Sequence, residues 1–148
     1  FNKEMGPKKL ESKLGATLLI MDTGQLGNTK EAVSKVRQQM QTSVEANKKI
    51  ENLGFLADET KKAWLKHDKN KVGQIFDHAQ ENLASLGLST EKINQLSLIA
   101  HQNGSLGFKL SGGGLGGIVI TLCDSNESAQ KIAEACKNLI SNHWYEEI

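Results

Sequence analysis

Apolar residues recur along this chain in two patterns, and these patterns divide it into strands and helices. Residues 16–21 form a continuous apolar run, which is typical of a buried strand. Two later runs, over residues 106–110 and 117–122, predict a second and a third strand. A glycine-rich stretch alone separates these last two strands, so we expect them to pair with each other.

Between the first and second strands, apolar residues return every three or four positions, which predicts helices. Asn28, with Glu31 three residues later, has the capping-box pattern of a helix start. The predicted helix turns Val33 and Met40 inward and ends before Gly54, a typical C-terminal stop. The remaining predicted helices cover residues 58–67, 72–86, 89–103 and 124–140.

This order of elements predicts an α+β domain with a small antiparallel sheet of three strands and helices packed on one side. We expect residues 14–148 to form the domain and residues 1–13 to be a partly ordered lead. Because three strands are few for a sheet, one apolar face is expected to need cover from another element. An N-terminal partner domain would supply that cover.

Composition excludes several classes of protein. The chain has 148 residues, of which 38% are hydrophobic and 24% charged, as in an ordinary soluble globular protein. A net charge of +1 gives no general attraction to nucleic acid, and no apolar run approaches the roughly 20 residues that span a membrane. Cys123 and Cys136 lack metal-site spacing, so we expect reduced packing residues in a cytoplasmic protein.

The strongest candidate for chemistry is the glycine-rich stretch, in which five of the six residues 112–117 are glycine. Such a turn can adopt positive φ at several positions, and its consecutive amides can form a nest for phosphate. The alternative is a wide hairpin turn with close strand packing. The pattern is neither a Walker A motif nor a dinucleotide-binding fingerprint. Lys109, just before the turn, is either near a phosphate or a solvated strand residue.

A second motif follows the first strand, where Asp22-Thr23-Gly24 precedes Asn28 and Thr29. Thr29 lies in the first turn of the predicted helix, where free amides and the helix dipole favour anions. The alternatives are a turn-stabilising role for Asp22 and an ordinary first-turn position for Thr29. Aspartic proteases also carry an Asp-Thr-Gly triplet, but a long helix so soon after it disfavours their almost entirely β fold.

Together, the two motifs resemble the C-terminal half of the mevalonate kinase family, in the GHMP kinase superfamily. Residues 21–33 read MDTGQLGNTKEAV, similar to the family's strand end and following helix start. Residues 109–118 read KLSGGGLGGI, similar to the superfamily's glycine-rich third motif. Two departures are Ser111 in place of the common Thr, and Leu115 where Gly or Arg is common. The resemblance covers about residues 16–139.

The resemblance implies an ATP- and Mg²⁺-dependent kinase that converts mevalonate to 5-phosphomevalonate in isoprenoid biosynthesis. It places the nucleotide loop, the catalytic residues and the Mg²⁺ ligand in an N-terminal half that this chain, which begins with Phe1, does not contain. We therefore expect no catalytic or metal-binding residue here, an inactive chain in isolation, and a homodimer for the whole enzyme. The expected contacts are Asp22, Asn28 and Thr29 to substrate, and Ser111, Gly112, Gly113 and Gly114 to phosphate.

Two further functions stay open at this point. One is a sister GHMP kinase or a decarboxylase with a different substrate. The other is a regulatory or binding module that keeps the glycine-rich turn only for structure.

Overall fold

A computed structural model describes residues 12–148, which fold into five helices and a four-stranded sheet. The elements in chain order are β1 (Thr17–Asp22), α1 (Thr29–Thr42), α2 (Val44–Leu65), α3 (Lys69–Ser85), α4 (Glu91–Gln102), β2 (Gly107–Leu110), β3 (Ile118–Cys123), α5 (Asn126–Cys136) and β4 (Asn142–Glu147).

The sheet has the strand order β2-β3-β1-β4, and every neighbouring pair is antiparallel. Alternate residues of a strand point to opposite faces, so Leu19 and Met21 of β1 share one face with Val119 of β3. These fully buried side chains pack with Ile93 of α4 and Ile132 of α5 in the larger core cluster. The predicted α+β fold with a small antiparallel sheet is confirmed.

The opposite face of the sheet is covered only in part. Leu122 of β3, which pairs with Leu18, belongs to a second core cluster together with Leu56 of α2 and Ile75 of α3. The helices therefore cover one face of the sheet and only one end of the opposite face. In the aligned row of Lys109, Ile120, Ile20 and Trp144, the first two line a groove against α2 and α3, whereas Trp144 at the far end is exposed.

Helix α3 closes the β2 edge of the sheet. The backbones of Gly73 and Gly107 touch, since a Cβ on Gly107 would lie 2.1 Å from the Gly73 carbonyl oxygen. This close approach lets α3 side chains accept hydrogen bonds from the outer amides of β2. Asp77 Oδ1 accepts from Phe108 N, and Gln80 Oε1 accepts from Leu110 N, both at 2.8 Å. The amides of an edge strand are thus satisfied by a helix.

The expectation of three strands was wrong, because residues 142–147 form a fourth strand instead of following a long helix. Helix α5 ends at Cys136, short of the expected residue 140. All six residues of β4 are exposed, so the strand lacks the apolar alternation by which strands are recognised in a sequence.

The boundary between the first two helices was also wrong. Ser43 has extended backbone and its hydroxyl accepts from Ala46 N, so it ends α1 and caps α2. Helix α2 then runs through Gly54, the expected stop, and absorbs the separate helix expected over residues 58–67. Val33 and Met40, expected to point inward, are exposed on α1.

Most of the expected lead over residues 1–13 lies outside the described residues. Its last two residues are held at the end of α2, since Trp64 Nε1 donates to the Ser12 carbonyl and His67 Nδ1 contacts the Lys13 carbonyl, both at 2.7 Å. Cys123 and Cys136 are free and buried, as expected. Across residues 12–148, no helix is both long and apolar enough to cross a membrane.

Candidate functional site

The glycine-rich turn, residues 111–117, packs against the loop that joins β1 to α1. The amide of Thr23 donates to the Gly117 carbonyl at 2.9 Å, and the amide of Gly117 donates to the Gln25 carbonyl at 2.8 Å. On its other side, the amide of Leu115 donates to the Leu88 carbonyl at 2.8 Å. The turn is therefore held from both sides by backbone hydrogen bonds.

The path of this turn explains its composition. Gly112 and Gly114 both have φ of 79°, a left-handed conformation that favours glycine. A Cβ on Gly114 would also lie 2.5 Å from the Leu88 carbonyl oxygen, closer than packing allows. Leu115 adopts φ of 59° in spite of its side chain, which signals local backbone strain.

The turn brings Gly113 against Thr29, the first residue of α1. A Cβ on Gly113 would lie 3.2 Å from Thr29 Cα and 3.4 Å from Thr29 Oγ1. Among residues 12–148, nothing accepts from the amides of Gly112 and Gly113, and nothing bonds the Thr29 hydroxyl. These free donors lie beside the amino-terminal end of α1, which carries partial positive charge. The arrangement suits an anion such as a phosphate group.

Two of the expected substrate contacts have local structural roles. Asp22 Oδ1 accepts from Gly24 N at 2.9 Å, which matches the turn-stabilising alternative. Asn28 Oδ1 accepts from Glu31 N at 3.1 Å and caps α1, as the capping-box pattern predicted. Asp22 is half-buried and holds the turn at the end of β1, whereas Asn28 is exposed and caps α1, so neither side chain adds to the set of free donors.

Ser111, another of the expected phosphate contacts, lies at the base of the turn. Its amide donates to the Ile118 carbonyl at 2.9 Å, which prolongs the pairing of β2 with β3 by one bond. Its side chain is half-buried, and its hydroxyl has no hydrogen-bond partner within the described part of the chain. Ser111 therefore marks the point at which the strands end and the turn begins.

An apolar groove of about 330 Å³ adjoins the turn, and sequence reasoning missed it. The groove runs from Gly112 and Gly113 along the exposed side of α1, where Val33, Val36 and Met40 line it with Leu88 and Arg37. The signal was present in the helical spacing of Val33 and Met40. That spacing was interpreted as core, whereas it marks an apolar stripe that the described residues leave open.

Lys109 lies in different surroundings from those expected. Its ammonium donates to the Leu110 carbonyl at 2.7 Å and lies 6.0 Å from the centre of the Phe76 ring. Burial lowers the pKa of Lys109 from its usual value. The solvated alternative is therefore wrong, and Lys109 belongs to a groove between the sheet and helices α2 and α3.

The described residues hold no cluster of three or more His, Cys, Asp or Glu side chains suited to a metal ion. The donors of the site are instead backbone amides and hydroxyls. Lys92, which sequence reasoning did not single out, supports them from α4, since its ammonium donates to the Thr23 carbonyl at 2.9 Å.

Comparison with known families decides the wider assignment. The family model described as "GHMP kinases C terminal" matches residues 60–142, more than half of the chain. The chain belongs to the GHMP kinase C-terminal family. This assignment, together with the helix-rich fold, excludes the aspartic protease alternative for the Asp-Thr-Gly triplet.

Curated relatives of this GHMP kinase domain include mevalonate kinases. The chain is 33% identical over 121 residues to the mevalonate kinase of Pyrococcus abyssi, covering 78% of this chain and 36% of that protein. It is 37% identical over 114 residues to that of Aeropyrum pernix, covering 76% of this chain and 35% of that protein. The chain thus spans about a third of the length of these relatives.

Solved structures agree on the fold of this GHMP kinase domain. The mevalonate kinase of L. major, in complex with R-mevalonate, matches with a TM-score of 0.81 at 23% identity, over 88% of this chain and 41% of that one. The Methanococcus jannaschii mevalonate kinase matches with a TM-score of 0.75 at 21% identity, over 95% of this chain and 44% of that one.

Proposed function

We propose that this chain is the substrate-side domain of a mevalonate kinase, which transfers the γ-phosphoryl group of ATP to mevalonate and forms 5-phosphomevalonate in the cytoplasm. The observation that carries the proposal is the group of free donors at Gly112, Gly113 and Thr29. The similarity to the mevalonate kinases of Pyrococcus abyssi and Aeropyrum pernix supports the substrate.

Each part of the site has a defined task in this proposal. Phosphoryl transfer depends mainly on positioning and on stabilising the charge of the transferring group. The amides of Gly112 and Gly113 donate to phosphate oxygens, and the Thr29 hydroxyl donates to mevalonate or to the transferring group. Asp22 and Asn28 hold the β1–α1 loop in place, so that Thr29 stays beside Gly113.

The catalytic residues and the ligands of Mg²⁺ are assigned to an N-terminal half of the same kinase. Within residues 12–148 there is no acidic cluster that would hold the ion. The neutral amides and hydroxyls found there instead suit a surface that contacts phosphate. When bound, ATP with Mg²⁺ supplies the phosphoryl group. The open stripe of Val33, Val36 and Met40 beside the glycine-rich turn would be the contact surface for that half.

A chimera tests the proposal. The matched C-terminal third of the Pyrococcus abyssi relative is replaced by this chain, and mevalonate-dependent ADP release is measured. We expect turnover by the chimera and none by the chain alone. Thr29→Ala should lower kcat about 100-fold, while Thr29→Ser should keep most of it, because losing a donor to a transition-state charge costs about that much.

Thr42→Ala is the matched control, because Thr42 lies at the far end of the same helix and its hydroxyl donates to the Gln38 and Gln39 carbonyls of that helix. It should leave kcat within about twofold. If Thr29→Ala leaves kcat unchanged in a folded chimera, Thr29 does not act in the site. A folded chimera that binds ATP without turnover would favour the non-catalytic binding module.

A sister kinase is the second candidate, because the galactokinase of Candida albicans is 36% identical over 69 residues of this chain. A panel of mevalonate, phosphomevalonate, galactose and homoserine separates the candidates. Mevalonate should give the highest kcat/KM. A higher value for another acceptor would replace mevalonate as the substrate while keeping the kinase assignment.

A further inference from the structure

Lys109 carries a partly buried charge that no counter-ion matches within residues 12–148. It pairs with Ile120 of β3 and points away from the larger core, to which its strand neighbours Phe108 and Leu110 belong. An ammonium has three donor hydrogens, and in this part of the chain that of Lys109 has the Leu110 carbonyl as its hydrogen-bond partner. No carboxylate of the same residues forms an ion pair with it. A positive charge and two donor hydrogens are thus available to a ligand.

The surroundings of this ammonium are apolar. It borders a groove of about 310 Å³ between the sheet and helices α2 and α3, whose lining includes Leu53 and Leu56 of α2. The ammonium lies 6.0 Å from the centre of the Phe76 ring, and burial is the cause of the lowered pKa of Lys109. The other polar side chain of the lining is Thr60, whose hydroxyl donates to the Leu56 carbonyl at 2.8 Å. The groove therefore presents one cation at the side of an apolar channel.

We propose that this groove binds a small monocarboxylic acid with an unsubstituted apolar chain. The carboxylate accepts from the Lys109 ammonium, and the chain lies against Leu53 and Leu56. One negative charge matches the single cation, whereas a phosphate ester would leave part of its charge unmatched in apolar surroundings. The volume of the groove lies in the range of sites for small ligands. This inference does not rest on the kinase assignment.

The apolar groove beside the glycine-rich turn offers a contrast. The two grooves are similar in volume and share no lining residue, and the turn-side groove also has a cation, Arg37. Arg37 is exposed, however, so its charge is hydrated and pairing with an anion there gains little. Lys109 has already lost part of its hydration on folding, so a carboxylate gains more by pairing with it. A carboxylic acid should therefore prefer the groove at Lys109.

Isothermal titration calorimetry of this chain with three probes of equal chain length tests the ligand class. We expect octanoate to bind with a dissociation constant of about 0.1–1 mM. Octanol lacks the charge and octyl phosphate carries too much of it, so both should bind at least about tenfold more weakly. Octanoate that does not bind below about 10 mM, or an analogue that binds as tightly as octanoate, would overturn the proposal.

Two lysine and arginine variants locate the bound carboxylate. Lys109→Met keeps a long unbranched side chain and removes the charge, so it should raise the octanoate dissociation constant at least about tenfold. Arg37→Met is the matched control, because it removes the cation of the turn-side groove, and it should leave the constant within about twofold. If Lys109→Met binds octanoate like the original chain, or if Arg37→Met weakens binding equally, the ligand is held elsewhere and the proposal fails.

A series of chain lengths tests the apolar part of the site without touching Lys109. From butanoate to octanoate, each added methylene should tighten binding about three- to fourfold, because it is buried against the groove lining. Ala57, which lines the groove and is itself exposed, can be enlarged without disturbing the core. Ala57→Phe should therefore abolish most of this gain with length while circular dichroism shows an intact fold. Affinity that does not depend on chain length in the original chain, or a gain that Ala57→Phe leaves unchanged, would refute the proposal.

Discussion

Replacing Gly73 by alanine should separate α3 from β2 and destabilise the domain. In an open helix this change would stabilise by about 1 kcal/mol, because glycine is a poor helix former. At Gly73, however, the new Cβ would lie 2.0 Å from the Leu106 carbonyl oxygen. Ordinary contact begins at about 3.4 Å, so the two backbones must move apart by roughly 1.4 Å.

That displacement is larger than the hydrogen bonds beside it tolerate. The bonds from Phe108 N to Asp77 and from Leu110 N to Gln80 are both 2.8 Å long, and both would exceed hydrogen-bond range. Leaving a buried donor without its partner costs about 1–3 kcal/mol each. After the gain in helix propensity of about 1 kcal/mol, Gly73→Ala should lower the free energy of unfolding by about 1–5 kcal/mol.

Gly54 offers a matched control, because it also lies inside a helix and a Cβ there would meet nothing within 4 Å. Urea unfolding followed by circular dichroism should show Gly54→Ala as stable as the original chain or up to about 1 kcal/mol more stable. If Gly73→Ala unfolds within about 0.5 kcal/mol of Gly54→Ala, the contact between α3 and β2 does not carry the stability assigned to it.

Three other predictions concern single groups. Burial raises the pKa of Asp77, so the folded state holds the carboxyl proton more tightly than the unfolded chain does. The free energy of unfolding should therefore fall as pH rises from the usual Asp pKa through the raised value. Asp77→Asn should flatten this pH dependence in urea titrations, and an unchanged pH dependence would contradict the assignment. Burial raises the pKa of Cys123 to about 12 and of Cys136 to about 11, so at pH 8 both thiols should react with Ellman's reagent only on unfolding, and fast labelling of folded protein would be inconsistent with their burial. Gly114→Ala should lower the free energy of unfolding by about 1–3 kcal/mol through its clash with the Leu88 carbonyl, and a neutral effect in urea melts would show that the turn can relax.

Sequence patterns predicted the elements whose burial follows from local chemistry. β1 and β3 are continuous apolar runs because they lie in the middle of the sheet, and Asn28 caps α1 as its spacing with Glu31 indicated. The patterns failed where contacts between distant parts of the chain decide which element forms. β4 pairs with β1 through its backbone while its side chains stay exposed, and α2 passes through Gly54 because that position faces open space.

The candidate site was predictable only in part, for a similar reason. The glycine-rich turn and Thr29 were recognisable as separate motifs, but their contact at Gly113 depends on how two loops pack. The stripe of Val33 and Met40 was misinterpreted, because helical spacing identifies an apolar side and does not say what covers it.

The hydrogen bonds between Thr23, Gln25 and Gly117 join two loops that lie more than 90 positions apart in the chain. Because these bonds tie the loops together, we expect the amino-terminal end of α1 and the glycine-rich turn to move as one rigid unit. If an enzyme containing this domain closes on its ligands, that motion must be taken up at hinges elsewhere. The donors on this side would then already be in position when the anion arrives, and little ordering would remain to be done on capture.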